Sequence, residues 1–530
     1  ATIGNISGAS ATNTITFEAE NGSAATTILS STSTSSTTTL NNIFYLNGAK
    51  YIRVRNLTLD KTSSSYGTCI RFAGDADYNI IEDCILKGST TTSTSTNMSR
   101  IYGTSLGSAN NNIIRNNTFN NGSFAVYWYG SSTSSLSADN EISGNTLVSP
   151  YNYGIYCYYT SNLQVLNNAI TRTGAGTFYG YYIYNADNQF KIEGNSYTGT
   201  SITGTNYGIL VSTSDGTTTN RGSVDNNTIT ISSSTTIYGI NVENSNYHSL
   251  NGNTISVTGS STGTLYPLRN YNTSTTYGKD VYVNGNNITS AGNGTTYVYG
   301  HYLSTNGQFN NNNIVLGTTS NSGTRYVYTG YSSCNNLQCD NNDITMRSTS
   351  GTSYVYAMYS SNTNCQFTNN KVSIGHSSST ATQYIYLGYS SNSNISVAGN
   401  ELTMQNISSG SKYMYIGYSG NSNVSVVGNK FTMSNNSSAV QYIYGLYSGN
   451  TGNVEYSNNT VNMSSATGTT YHFGGYSNTS ATGYNKANGN DVTMTATSSA
   501  TLYSYMGCYG YAANKDVNEA IGNNVYMKTT

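Results

Sequence analysis

The sequence predicts an all-β chain folded as a parallel β-helix, a solenoid of about 18 coils of about 29 residues with three short strands per coil. Three observations predict it. An asparagine returns at a mean interval of 29 residues, a Tyr-x-Tyr strand keeps the same beat, and proline and charge are almost absent.

Composition sets the frame. Of 530 residues only 8% are charged and only two, Pro150 and Pro267, are proline, so nearly every backbone N–H is free to join a strand ladder. So polar a chain could be disordered, but 51 tyrosines and aliphatic residues at fixed intervals argue for a β protein with a thin core. A net charge of −1 without basic clusters gives no footprint for nucleic acid, and no apolar stretch approaches the ~20 residues of a membrane helix. Neither nucleic-acid binding nor membrane insertion is expected. A start at Ala1 rather than Met is what a processed chain would show.

The asparagine column reads Asn117, Asn145, Asn168, Asn195, Asn227, Asn253, Asn286, Asn312, Asn342, Asn370, Asn400, Asn429, Asn459, Asn490 and Asn523, each two residues before an apolar side chain. Asp83 is expected to hold the same column upstream. At a tight corner the backbone often needs left-handed geometry, which Asn tolerates, and its amide can hydrogen-bond the equivalent amide in the next coil. The column is therefore an expected asparagine ladder, with Phe119, Ile170, Ile255, Ile314, Ile344, Val372, Leu402 and Val461 stacked inward beside it.

The second marker comprises Tyr297/Tyr299, Tyr326/Tyr328, Tyr354/Tyr356, Tyr384/Tyr386, Tyr413/Tyr415 and Tyr442/Tyr444, at steps of 28 to 30 residues. Strand alternation turns Val327, Val355, Ile385 and Met414 inward and the flanking tyrosines outward, as two exposed aromatic columns. Counting back eleven residues from the asparagines places Tyr331, Tyr359, Tyr389 and Tyr418 in phase with the aliphatics, so these are expected inside. One unit shows all three strands: Tyr354 to Tyr359, Asn364 to Phe367 and Lys371 to Ile374. The register makes 1–530 one solenoid, less regular over 1–110, regular over 111–530, with Tyr-x-Tyr strands from about 297. Propeller blades would need antiparallel hairpins with Asn-Gly or Asp-Gly turns at regular spacing, which are not seen.

On these residues the chain resembles the right-handed parallel β-helix repeat proteins of bacterial secreted and cell-surface polypeptides. The likeness is carried by Ile6-Ser7-Gly8-Ala9-Ser10-Ala11-Thr12-Asn13-Thr14-Ile15-Thr16-Phe17, by the run from Leu46 to Leu59, and by the repeated Gly/Asn-Asn-x-Ile. It implies a right-handed fold and an extracellular or cell-surface location. Relatives of this fold include polysaccharide lyases, hydrolases, adhesins and surface fibres.

An enzyme would need clustered ionisable groups. Asp75, Asp77, Glu82 and Asp83, with Arg53, Arg55 and Arg71 nearby, could bind a cation or act on a sugar, but polar turn residues on a solvated face are the favoured account, since no histidine joins them and Asp-x-Asp is common in turns. His248, His301, His376 and His472 fall on different coils, and no pair has metal-ligand spacing. No cofactor or metal is expected. Cys69, Cys84, Cys157, Cys334, Cys339, Cys365 and Cys508 are odd in number and irregularly spaced, which suits buried thiols, with a bridge of Cys339 to Cys334 or Cys365 left open. Asn-x-Ser/Thr triplets such as Asn121-Gly122-Ser123 arise from composition.

The reading that follows is an extracellular structural or adhesive surface protein without enzymatic activity, a filament subunit whose partners are copies of itself stacked end to end, with glycans or other surfaces as further partners. Neither the opening strand nor the last coil, Ile521 to Thr530, carries a helix or charge cluster as a cap. The alternatives are a carbohydrate-binding spike or a polysaccharide lyase or hydrolase.

Overall fold

The computed structural model describes residues 1–37, 40–259, 263–376, 380–406, 409–474, 483–497, 499–506 and 517–529. They fall into two compact units, Ala1–Val257 and Thr258–Thr530. Among the described residues there is no α-helix; one 3-10 turn, Thr96–Met98, stands among strands.

Each unit is a parallel β-helix. In the second, a coil consists of Ser353–Tyr356, Gln366–Thr368 and Lys371–His376. Each strand pairs in parallel with its counterpart one coil on: Tyr354 opposite Tyr384, Phe367 opposite Val397, Val372 opposite Leu402. These are the three strands expected of that unit. Nine third strands stack in this way, from Asn287–Gly292 to Asn524–Thr529. In the first unit the equivalent stack runs through eight strands, from Ile28–Ser30 to Thr228–Ser233.

The core lies inside the coils, and alternation fills it. Phe119, Leu147, Ile170, Tyr197 and Ile229 follow one another in register in the first unit. Ile314, Ile344, Val372, Leu402, Phe431 and Val461 do so in the second. All of these, and Ile255, are buried, as the repeat register requires. Two residues on, Met346, Ile374, Met404, Met433, Met463 and Met494 form a parallel inner column.

The first unit departs from the three-short-strand pattern in two coils. Residues Tyr153–Leu166 and Phe178–Glu193 each run the first two strands together. Their corners are made by single left-handed residues, Tyr159 and Asn162 in one coil and Asn185 and Asn188 in the next, which turn the chain without ending the ladder.

Candidate functional site

The asparagine column is a hydrogen-bonded ladder. In the first unit Asn117, Asn145, Asn168, Asn195, Asn227 and Asn253 are linked Nδ2 to Oδ1 at 2.9–3.1 Å. In the second, Asn286 to Asn523 are linked likewise at 2.7–3.1 Å. Each amide is used in full. Asn400 Oδ1 accepts both the backbone N–H and the Nδ2 of Asn370, at 2.8 and 3.1 Å, while its own Nδ2 donates to Phe367 O and Asn429 Oδ1, both at 2.8 Å. Asn117 to Asn490 are buried, and because their hydrogen bonds offset the cost of desolvation these polar groups can specify the register.

Two expectations about this column are corrected. The left-handed residue is not the ladder asparagine but the one before it: Asn116, Gly144, Asn167, Gly194, Asn226 and their successors have φ of 54–68°. Asp83, with φ 52°, belongs to that left-handed set, and Cys84 occupies the ladder position, its N–H donating to Asn117 Oδ1 at 3.0 Å. Two neighbouring residues thus divide the tasks of turning and bonding. At Gly399 (φ 66°) an added Cβ would lie 2.7 Å from Asn369 Oδ1. Gly399→Ala is therefore expected to cost about 1–2 kcal/mol, whereas Gly399→Asn, the residue the preceding coil carries there as Asn369, should cost a fraction of that. Thermal unfolding of the two variants checks this.

A second buried ladder was missed from sequence. Asn362, Asn392, Asn421 and Asn450 are linked at 2.9–3.2 Å, and Asn79, Asn112 and Asn140 at 3.1 Å. The signal was available: Asn362, Asn392 and Asn421 each lie eight residues before an asparagine of the main ladder.

The tyrosines form three outer columns on the second unit rather than two. Tyr297, Tyr326, Tyr354, Tyr384, Tyr413, Tyr442 and Tyr471 stack at ring separations of 4.7–5.3 Å with planes within 10°. Tyr328, Tyr356, Tyr386, Tyr415 and Tyr444 stack at 4.8–5.1 Å within 6°. Val327, Val355, Ile385 and Met414 between them are fully buried, as alternation requires. Tyr331, Tyr359, Tyr389 and Tyr418 do not point inward. They stack on one another at 5.1–5.2 Å and pack edge-on against the second column at 4.7–4.9 Å and 79–85°. Under this cover Tyr328 is buried, at 7% exposure, and Tyr356, Tyr386 and Tyr415 are half-buried. Burial, followed by the neighbouring phenols, pushes the hydroxyls of Tyr356, Tyr386 and Tyr415 well above the usual range, so the columns stay neutral. The first unit also carries stacks, such as Tyr153, Tyr179, Tyr207 and Tyr238 at 4.5–4.6 Å, well before residue 297.

The charged cluster is tied up in pairs. Glu82 is clamped between Arg53 and Arg115, whose Nη2 lies 2.6 Å from Glu82 Oε2. Burial pushes the Glu82 carboxyl up, but the two guanidiniums outweigh it and hold the group below the usual carboxylate range. Lys50 meets Asp77 at 2.6 Å, Arg55 pairs with Glu18, and Ser108 donates to Asp75. Arg71 lies over the Tyr102 ring at 4.7 Å. A pair that sequence reading missed is Glu193 and Asp225, in register on adjacent coils, where burial pushes the Asp225 carboxyl up to about 6. Burial lowers the His301 imidazole to about 4 and that of His472 to about 3. His248 is also buried, and the side chain of His376 lies outside the described residues. Among the described residues no group of three or more His, Cys, Asp or Glu could hold a metal.

Six cysteines are free and buried; Cys508 lies outside the described residues. Cys365 stands opposite Leu337, the position next to the paired Gln366 and Gln338. Burial raises the thiols of Cys69 and Cys365 to about 11 and those of Cys84 and Cys334 to about 12. These six are expected to be inert to a water-soluble disulfide reagent in the native protein and to react on denaturation; stoichiometric labelling of Cys334 or Cys365 in the folded state would contradict this.

Residues 41–229 match the family model described as the right handed beta helix region. No curated protein matches the chain.

Proposed function

Starting from a chain whose residues 41–229 match the right handed beta helix region, we propose that it is an extracellular structural or adhesive surface protein that assembles into filaments by end-to-end stacking of copies. The observation that carries this reading is the repetition of the surface itself. Coil after coil presents the same aromatic columns and spends its buried amides on ladders, an economy suited to a rigid, extensible support. Parallel coils pair edge to edge, strands of separate copies can pair in the same way, and a contact that does not close on itself propagates.

The test is electron microscopy of the native protein together with a search for activity: filaments, and no release of oligosaccharides from uronate or neutral polysaccharides, are expected. Asp75→Asn and Asp77→Asn should leave assembly intact. A lyase or hydrolase is the second reading, favoured by the Glu193 and Asp225 carboxyls on adjacent coils with Asp225 held near 6. Sugar release lost in Asp225→Asn would select it.

A further inference from the structure

We infer that the tyrosine face of the second unit is a lateral interface, and that its occupant is the same face of a second copy. The inference stands independently of end-to-end stacking.

The geometry excludes the ligands that aromatic surfaces usually take. Sugars and planar rings bind to the π-faces of aromatic side chains. Here each ring from Tyr326 to Tyr442 is flanked above and below by a parallel ring about 5 Å away, so its faces are covered by its own column. What reaches solvent is a row of ring edges and phenol hydroxyls. That surface suits protein contact, in which tyrosine offers rigid area with a hydrogen-bonding tip.

The same distances identify the partner. Successive rings in a column lie 4.7–5.3 Å apart, so the face repeats once per coil at a nearly constant rise. A partner that engages every coil must repeat at the same rise, and a second copy of this face does so by construction. Charge, the usual guard against association of sheets, is missing from the outward positions of these strands: Arg325 and Lys412, at their first residues, are turned inward and buried. An aromatic face of this extent without charge marks an interaction surface.

The inference is tested on the native full-length chain by sedimentation and negative-stain microscopy over a range of concentrations. Side-by-side pairs are expected, with the double variant Tyr384→Lys/Tyr413→Lys raising the dissociation constant at least tenfold. The control Thr403→Lys, on the outer surface of the third strand in the same coil as Tyr384, should leave it unchanged. Circular dichroism verifies that the variants fold. If the double variant does not fold, tetranitromethane treatment of the wild type decides: nitration of Tyr384 and Tyr413 should fall as concentration rises. Nitration independent of concentration, or association of a folded double variant as tight as wild type, overturns the inference. Particles that lengthen at constant width overturn it too while leaving end-to-end stacking intact, and particles that widen at constant length support it while end-to-end stacking fails.

Discussion

Replacing Lys412 by Met is expected to stabilise the protein at neutral pH, by on the order of 4 kcal/mol. Lys412 is fully buried in an inward column with Ser353 and Gln383 before it and Gln441 and Thr470 after it. Its Nζ has no hydrogen-bond partner, nor do Gln383 Oε1 and Gln441 Oε1 on the adjacent coils. Burial lowers the ammonium from 10.5 to about 7. Because the folded value lies below the unfolded one, unfolding takes up a proton between these limits. The penalty is therefore absent above about pH 10.5, grows as pH falls towards 7 and is constant below that. The advantage of Lys412→Met should follow the same course, nearly full at pH 7 and vanishing towards pH 10.5. A solenoid opens coil by coil, so amide hydrogen exchange in residues 412–415 is the suitable measurement beside the thermal midpoint. A variant no more stable than wild type at pH 7 would show that Lys412 is solvated in the folded state.

The second large effect has the opposite sign. Asn400→Ala takes the acceptor from the backbone N–H and Nδ2 of Asn370 and the amide donor from Phe367 O. Leaving a buried polar group unmet costs about 1–3 kcal/mol, and a ladder interrupted at mid-column leaves several, so a loss of roughly 3 kcal/mol or more is expected. Asn313→Ala removes an amide bond of similar length, 2.9 Å to Asn287 Oδ1, from an exposed site and should change stability by no more than about 0.5 kcal/mol. Comparable losses in the two variants, read by denaturant or thermal unfolding, would contradict the distinction between buried and exposed ladders.

The parts legible in the sequence were those fixed by a constant offset along a strand. Alternation placed Val355 and Ile385 correctly, and it also turns Lys412 inward with Met414 two residues later. Counting failed where the chain turns. Tyr359 is in phase with Val355 by number, but the strand ends at Tyr356 and both Ala357 and Met358 are buried, which breaks the parity and leaves the third tyrosine outside. The left-handed turn was assigned to the ladder asparagine because Asn satisfies both demands of a corner, and only backbone geometry separates Asn116 from Asn117. Glu193 and Asp225 drew no attention because they are 32 residues apart in a sequence whose coils vary in length, and register alone makes them neighbours.

Self-association of the repetitive outer surface is tested most directly by electron microscopy of the native protein. Elongated filaments, joined side by side through their tyrosine faces, are the predicted result. Single, unassociated particles at high protein concentration would contradict it.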